Sequence, residues 1–208
     1  MILHGYFRSS ASWRLRIALA FKGLAHETVS HHLLRGEQNA PAYRRINPQG
    51  LVPSLVLDSG DVLTQSLAII EYLEDVVPEP PLLPAGSVER ARVRAAALVI
   101  ACDVHPLQNR KVLERVRRLG GDEAVQEWGL QAIEPGIEAF AELVAGNDGP
   151  YCFGDRVTLA DVCLIPQLAN ARRFAARTDF GRIAAIERHC LAHPAFAGTR
   201  PELQPDAE

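Results

Sequence analysis

A proline-dense stretch, Pro78-Glu-Pro-Pro-Leu-Leu-Pro84, constrains the fold of this chain more than any other feature. Proline has no amide hydrogen to donate and its ring collides with the preceding turn, so no helix runs through it. The stretch reads as an interdomain linker over 79–86, with one domain of residues 1–78 before it and another of residues 87–208 after it. The two sides follow different patterns. Before the linker, Ile2 to Phe7 reads as a strand and Ser12 to Lys22 as a helix ended by Gly23. His26 to Val29 reads as a second strand and is followed by a short helix. Leu51 to Leu57 and Val62 to Thr64 read as a hairpin about Asp58-Ser-Gly60-Asp61, and Leu67 to Val77 as a helix whose apolar face is Ile69, Tyr72, Leu73 and Val76. The order β-α-β then β-β-α is that of a small mixed sheet with helices packed on it.

Beyond the linker, Ser87 to Leu119, Asp122 to Val144, Thr158 to Ala176 and roughly Arg182 to Leu191 are helical by period and propensity, with no convincing strand. The second domain is therefore expected to be all-helical. Thr158-Leu-Ala-Asp161 ahead of the apolar run Val162 to Ile165 fits a capping box. Pro106 should bend the first long helix or open its backbone ladder near His105, placing irregular geometry where a pocket could form. The tail from Gly198 to Glu208 carries Pro201, Pro205 and acidic residues, and reads as mobile.

At 208 residues the chain is long enough for each part to bury a core, and 48% apolar against 23% charged residues is a globular composition. A net charge of −3 gives no general attraction for nucleic acid or anionic membrane, so any anion must be bound locally. No run approaches the length of a membrane span, and Met1 to Arg8 lacks the features of a signal peptide, so a cytoplasmic location is expected. Cys102, Cys152, Cys163 and Cys190 form no CxxC pair and the seven histidines show no ligand spacing, so no disulfide framework or metal site is expected. Any thiol chemistry would then draw its thiol from a ligand.

The segment Arg8-Ser-Ser-Ala-Ser-Trp-Arg-Leu-Arg-Ile-Ala-Leu19 lies where a strand hands over to a helix. Hydroxyls and free amides converge there, and the positive end of the helix dipole favours an anion. Such a place lowers the pKa of a bound thiol, but a serine there can equally serve only as a helix cap. Both readings stay open on this segment alone.

Five segments together resemble the zeta class of glutathione transferases, which includes maleylacetoacetate isomerases and is close to bacterial maleylpyruvate isomerases. They are FRSSASWRLRIALAFKG (7–23), NPQGLVPSL (47–55), QSLAIIEYLE (65–74), HPLQN (105–109) and YCFGDRVTLADVCLIPQLANARRF (151–174). The resemblance covers nearly the whole chain. It implies a thioredoxin-like N-terminal domain with a mixed four-stranded sheet that holds glutathione, followed by a helical C-terminal domain for the second substrate. Ser9 is then the hydroxyl that donates to the glutathione sulfur, with Ser10 as helper or substitute. Val52-Pro53 becomes a cis-proline turn offering the backbone of Val52 to the cysteinyl part of the tripeptide. Gln65 and Ser66 hold the γ-glutamyl carboxylate, Gln38 reaches the glycyl end, and His105 is a further glutathione contact.

For a dicarboxylic keto acid substrate the resemblance favours Arg8 and Arg173 as ligands, because a guanidinium fork suits a carboxylate. The choice between Arg110 and Lys111 stays open. The run Arg110 to Arg118 is charge-rich enough to be a solvated helix face. Ala11 replaces the cysteine of the family motif, which removes a polar neighbour of the sulfur but not the thiolate stabiliser. The activity so implied is glutathione-dependent cis–trans isomerisation of maleylacetoacetate by a homodimer. The alternatives are maleylpyruvate isomerisation, broader conjugation or haloacid dehalogenation, and a non-catalytic glutathione-fold interaction module.

Overall fold

The computed structural model describes residues 1–208. Contacts divide them into two units, Met1–Pro81 with His193–Glu208, and Leu82–Ala192. The first unit is built on a four-stranded sheet in the order β2-β1-β3-β4, from β1 (Ile2–Gly5), β2 (Glu27–Ser30), β3 (Ser54–Val56) and β4 (Val62–Thr64). β1 pairs with β2 in parallel, and β1–β3 and β3–β4 are antiparallel, so the sheet is mixed. The helices are α1 (Ser10–Phe21), α2 (Pro41–Ile46), α3 (Ser66–Val76) and, from the tail, α8 (Pro194–Ala197). α1 and α3 pack against each other, and Leu3, Leu15, Ile17, Leu19, Leu55, Ile69, Ile70 and Leu73 are buried.

One buried charge ties this unit together. Lys22, at the end of α1, donates its Nζ to Val77 O at 2.6 Å and Pro80 O at 3.2 Å, and pairs with Glu74 Oε1 at 2.6 Å. Its side chain is fully buried, so the carbonyls at the end of α3 supply the partners that a desolvated ammonium requires.

The second unit is all-helical: α4 (Ser87–Leu98), α5 (Arg110–Ala145), α6 (Leu159–Ala171) and α7 (Ile183–Ala192). Every residue of α6 from Leu159 to Leu168 is buried, as befits a helix that is apolar all round and sits inside its unit. The expected capping box starts it. Asp161 accepts from the Thr158 amide and hydroxyl, both at 2.8 Å, and from the Cys152 amide at 2.9 Å. Full burial raises the Asp161 carboxyl pKa, and those same hydrogen bonds oppose the rise.

Two expectations need correction. The helix expected over 87–119 is interrupted: α4 passes at Val99–Val104 into a π-helical turn and at His105–Gln108 into a 3-10 turn, and α5 starts afresh at Arg110. Pro106 sits in the first positions of the 3-10 turn, where its missing amide costs least, and the helical ladder opens near His105 as expected. The helix expected from Asp122 does begin there: α5 is two helical runs that meet at Gly121, whose φ of 76° and ψ of −167° are non-helical and whose φ a glycine alone adopts freely. Finally, the tail is not part of the helical unit. Trp13 Nε1 donates to Thr199 Oγ1 at 3.1 Å and Arg16 Nε to Thr199 O at 3.3 Å, which binds the tail to α1 in the first unit.

Candidate functional site

Sheet register brings three of the expected segments to one end of the first unit. β1 ends at Gly5, one residue past the His4–Ser54 pair, and Ser54 pairs in turn with Thr64. The residues that follow β1 (Tyr6 to Ser10), precede β3 (Val52-Pro53) and follow β4 (Gln65-Ser66) therefore all lie past the same edge. The Val52–Pro53 peptide is cis and both residues are buried. They lie beyond the last register pair, outside the ladder that occupies the backbone of Ser54 to Val56.

Ser9 is the N-cap of α1, and its Oγ accepts from the Ser12 amide at 3.2 Å. This resolves the two readings of the segment, because they are compatible. Capping uses an oxygen lone pair, whereas stabilising a thiolate uses the hydroxyl proton, which stays available to a ligand. Ser9 is half-buried and Ser10 buried, while Arg8 is exposed. The first turn of α1 contains no acidic residue to compensate its dipole.

Beneath the turn lies Arg16, 4% exposed, which donates from Nη1 to Tyr6 O at 3.4 Å and from Nη2 to Phe7 O at 3.0 Å. Burial lowers its pKa to about 10, with Asp206 opposing, so the guanidinium remains a cation at neutral pH. Sequence reasoning missed this residue, since an arginine on the inward face of a helix gives no signal of whose carbonyls it serves.

At the next segment Gln65 takes φ +68° and ψ 112° and caps α3 without a side-chain hydrogen bond to the helix. A positive φ is uncommon outside glycine and is held in place only by its surroundings. Its Nε2 instead donates to Gln49 Oε1 at 2.8 Å. Ser66, 7% exposed, begins the helix, so its terminal amides can serve an anion. The Gln38 Oε1 is buried without a hydrogen-bond partner, and the backbone of Gln38 lies close to Gly50. A network overlooked in the sequence shapes the segment that carries Val52. Tyr43 Oη donates to Leu51 O at 2.5 Å and lies 2.9 Å from Ser54 Oγ, and Asn47 Nδ2 donates to Leu51 O at 2.8 Å. Asn47 Oδ1 also accepts from the Gln49 amide at 3.0 Å, a local turn that Asn-Pro-Gln-Gly could have announced.

In the second unit the expected residues divide. Arg173 Nη1 donates to Asn170 Oδ1 at 3.2 Å, and Asn170 Nδ2 donates in turn to Gln108 Oε1. Gln167 Nε2 reaches the same Gln108 oxygen at 3.0 Å, and Gln108 Nε2 donates to Val104 O at 3.1 Å. This amide chain ties the turn bearing His105 to the segment bearing Arg173. Arg110 and Lys111 stand outside it, exposed on α5, and Arg110 Nε pairs with Glu114 Oε1 at 2.5 Å. Gln108, Gln167 and Asn170 were also missed as candidates, because amide side chains signal nothing until their partners are known.

Two family models match the chain, the glutathione S-transferase N-terminal domain over residues 8–76 and the C-terminal domain over 64–186. A maleylacetoacetate isomerase of Pseudomonas aeruginosa is 46% identical over 99% of this chain and 98% of its own. A solved holo maleylpyruvate isomerase, described as a bacterial zeta-class glutathione S-transferase, is 42% identical with a TM-score of 0.96 over all of both chains. The chain belongs to the zeta class of the glutathione transferases. A second solved relative of this transferase is a maleylacetoacetate isomerase from Methylobacterium extorquens AM1 with bound malonate and glutathione. It is 38% identical, with a TM-score of 0.95 over all of both chains. The transferase carries Arg8 to Ser66 within the first matched region and His105 to Arg173 within the second, while its tail beyond 186 lies outside both.

Proposed function

We propose that this transferase converts maleylacetoacetate to fumarylacetoacetate with glutathione as its cofactor. The observation that carries the proposal is Ser9, a helix cap whose hydroxyl proton is left for a ligand at an uncompensated helix N-terminus. Full-length similarity to isomerases of maleylacetoacetate and maleylpyruvate supports it. Bound glutathione supplies a sulfur nucleophile whose reversible addition turns the cis double bond into a rotating single bond and whose departure leaves the trans product.

The chain's own residues hold and polarise the reactants. Ser9 donates its hydroxyl to the sulfur, the dipole of α1 adds positive potential, and Ser10 assists. Val52 offers its backbone to the cysteinyl part of the cofactor, Gln65 and Ser66 bind the γ-glutamyl carboxylate, and Gln38 and His105 make further contacts. The residues fit such a cofactor. The α3 N-terminus has no side-chain cap and the buried Gln38 carboxamide oxygen has no partner within the chain. Arg8 and Arg173 bind the carboxylates of the substrate and stabilise the negative charge that spreads over its carbonyl oxygen. Arg110 is already paired with Glu114, which leaves Lys111 the freer cation for the same task.

Maleylpyruvate is the second reading, favoured by the structural match to an isomerase of that substrate. Parallel assays of both keto acids, with and without glutathione, decide between them. A higher kcat/KM for maleylacetoacetate is expected, and turnover that ignores glutathione would defeat the proposal. A cytoplasmic homodimer completes it, with sedimentation as the check on assembly.

A further inference from the structure

The last residues of the chain return to the turn that presents Ser9. Asp206 Oδ2 accepts from the Phe7 amide at 3.1 Å and from the Ser30 hydroxyl at the end of β2. Two further anchors flank it. Thr199 is bound by Trp13 and Arg16 of α1, and Glu208 Oε1 accepts from Arg35 Nη2 at 3.0 Å and His32 Nε2 at 3.1 Å. Asp206 is half-buried, and its carboxylate is close enough to Arg16 to oppose the fall in the guanidinium's pKa.

The turn from Tyr6 to Ser9 is closed by the Ser9 amide donating to Tyr6 O at 3.1 Å. Arg16 occupies the carbonyls of Tyr6 and Phe7 from within, and Asp206 occupies the Phe7 amide. Both polar faces of the Phe7 backbone are thus held by ionised side chains from distant parts of the sequence, and charge-assisted bonds are stronger than neutral ones. We infer that Asp206 is a positioning residue for Ser9: with Arg16 it clamps the Tyr6–Ser9 turn and so sets the direction in which the Ser9 hydroxyl points. The inference rests on the reading of Ser9 as the group that donates to the cofactor thiol. It assigns the C-terminal tail, which lies beyond the matched family regions, a part in the site of the first unit.

The test has two readouts. In the free protein, amide hydrogen exchange over Phe7 to Ser12 should quicken roughly fivefold in Asp206→Ala, the worth of one hydrogen bond, while exchange at Leu55 in the sheet stays unchanged. With glutathione bound, the ultraviolet absorbance of the thiolate is titrated against pH. Asp206→Ala should raise the midpoint by about half a pH unit or more, and Asp206→Asn, whose amide oxygen still accepts, should restore most of it. Ser9→Ala should raise the midpoint further, and the double variant should match Ser9→Ala, because Asp206 acts through Ser9. An unmoved midpoint in Asp206→Ala beside a raised one in Ser9→Ala overturns the inference and leaves the reading of Ser9 standing. An unmoved midpoint in Ser9→Ala overturns that reading and the inference with it. Faster exchange across the whole sheet would make Asp206 a stability residue and also overturn the inference.

Discussion

The two units prepare their candidate residues for binding by different means. In the first, apart from the exposed Arg8, candidate recognition rests on backbone and uncharged side chains: a helix cap, a cis-proline turn and an open helix N-terminus. In the second, it depends on long side chains held by other side chains, with Arg173 on Asn170 and Asn170 on Gln108. Amides cannot be lost to substitution and lose little freedom on binding, so the first unit suits an invariant cofactor. Guanidinium placement changes with every neighbour, so the second unit suits a substrate that differs between relatives.

Substitutions can break or sharpen this contrast, and the largest effect is expected at Ser9. Ser9→Ala should lower kcat on the order of a hundredfold, the worth of one donor aimed at developing charge, and leave the substrate KM nearly unchanged in steady-state kinetics. Arg173→Ala should do the reverse. A lost charge-assisted contact of about 2 kcal/mol corresponds to a roughly thirtyfold rise in substrate KM, with glutathione affinity by calorimetry unchanged. If both variants altered the same parameter, the division of labour between the units would fail.

Next in size is Gly129→Ala. A Cβ there stands 2.1 Å from Phe174 Cδ1, so Phe174 must move and Arg173 with it. Alanine gains about 1 kcal/mol in helix propensity, but overpacking costs about 1–3 kcal/mol, so a net loss of stability is expected in urea unfolding, together with a higher substrate KM. Asn170→Ala removes one link of the amide chain and should raise the substrate KM by only about fivefold, without moving the thiolate titration.

The smallest effect concerns pH. His4 Nδ1 lies 2.9 Å from His31 Nε2 and the rings are stacked. Burial holds both below the ordinary 6.5, and His31 is lowered further by His4 and opposed by Glu37. A histidine with a lowered folded pKa stabilises the native state above its unfolded pKa, and that contribution is lost as pH falls through the folded value. The thermal midpoint should therefore drop as pH falls below 6.5, and His31→Gln should flatten the drop.

The sequence was most legible where structure is local. The β-α-β and β-β-α order, the split at the proline run, the cap at Ser9 and the Thr158–Asp161 box are set by residues within a few positions of one another, whereas the cis turn at Val52-Pro53 was legible only through the family resemblance. Strand ends were less legible: β3 starts only at Ser54, because Val52-Pro53 takes up the residues before it. The long helix was misread because period and propensity persist through Val99–Gln108, while the backbone there follows π and 3-10 turns. Gln108, Asn170 and Arg16 were invisible as candidates, their partners being 62 residues away for Gln108–Asn170 and, for Arg16, carbonyls that carry no side-chain identity.

By itself, then, the sequence determined the class of each unit, the family and the residues that offer an anion a helix N-terminus, since all of these follow from short-range pattern and motif. Only the tertiary structure decided that the tail returns to α1 and that Asp206 meets Phe7 across 199 positions. Contacts at such separation depend on how the whole unit closes, and no local preference of Pro205 or Asp206 encodes them.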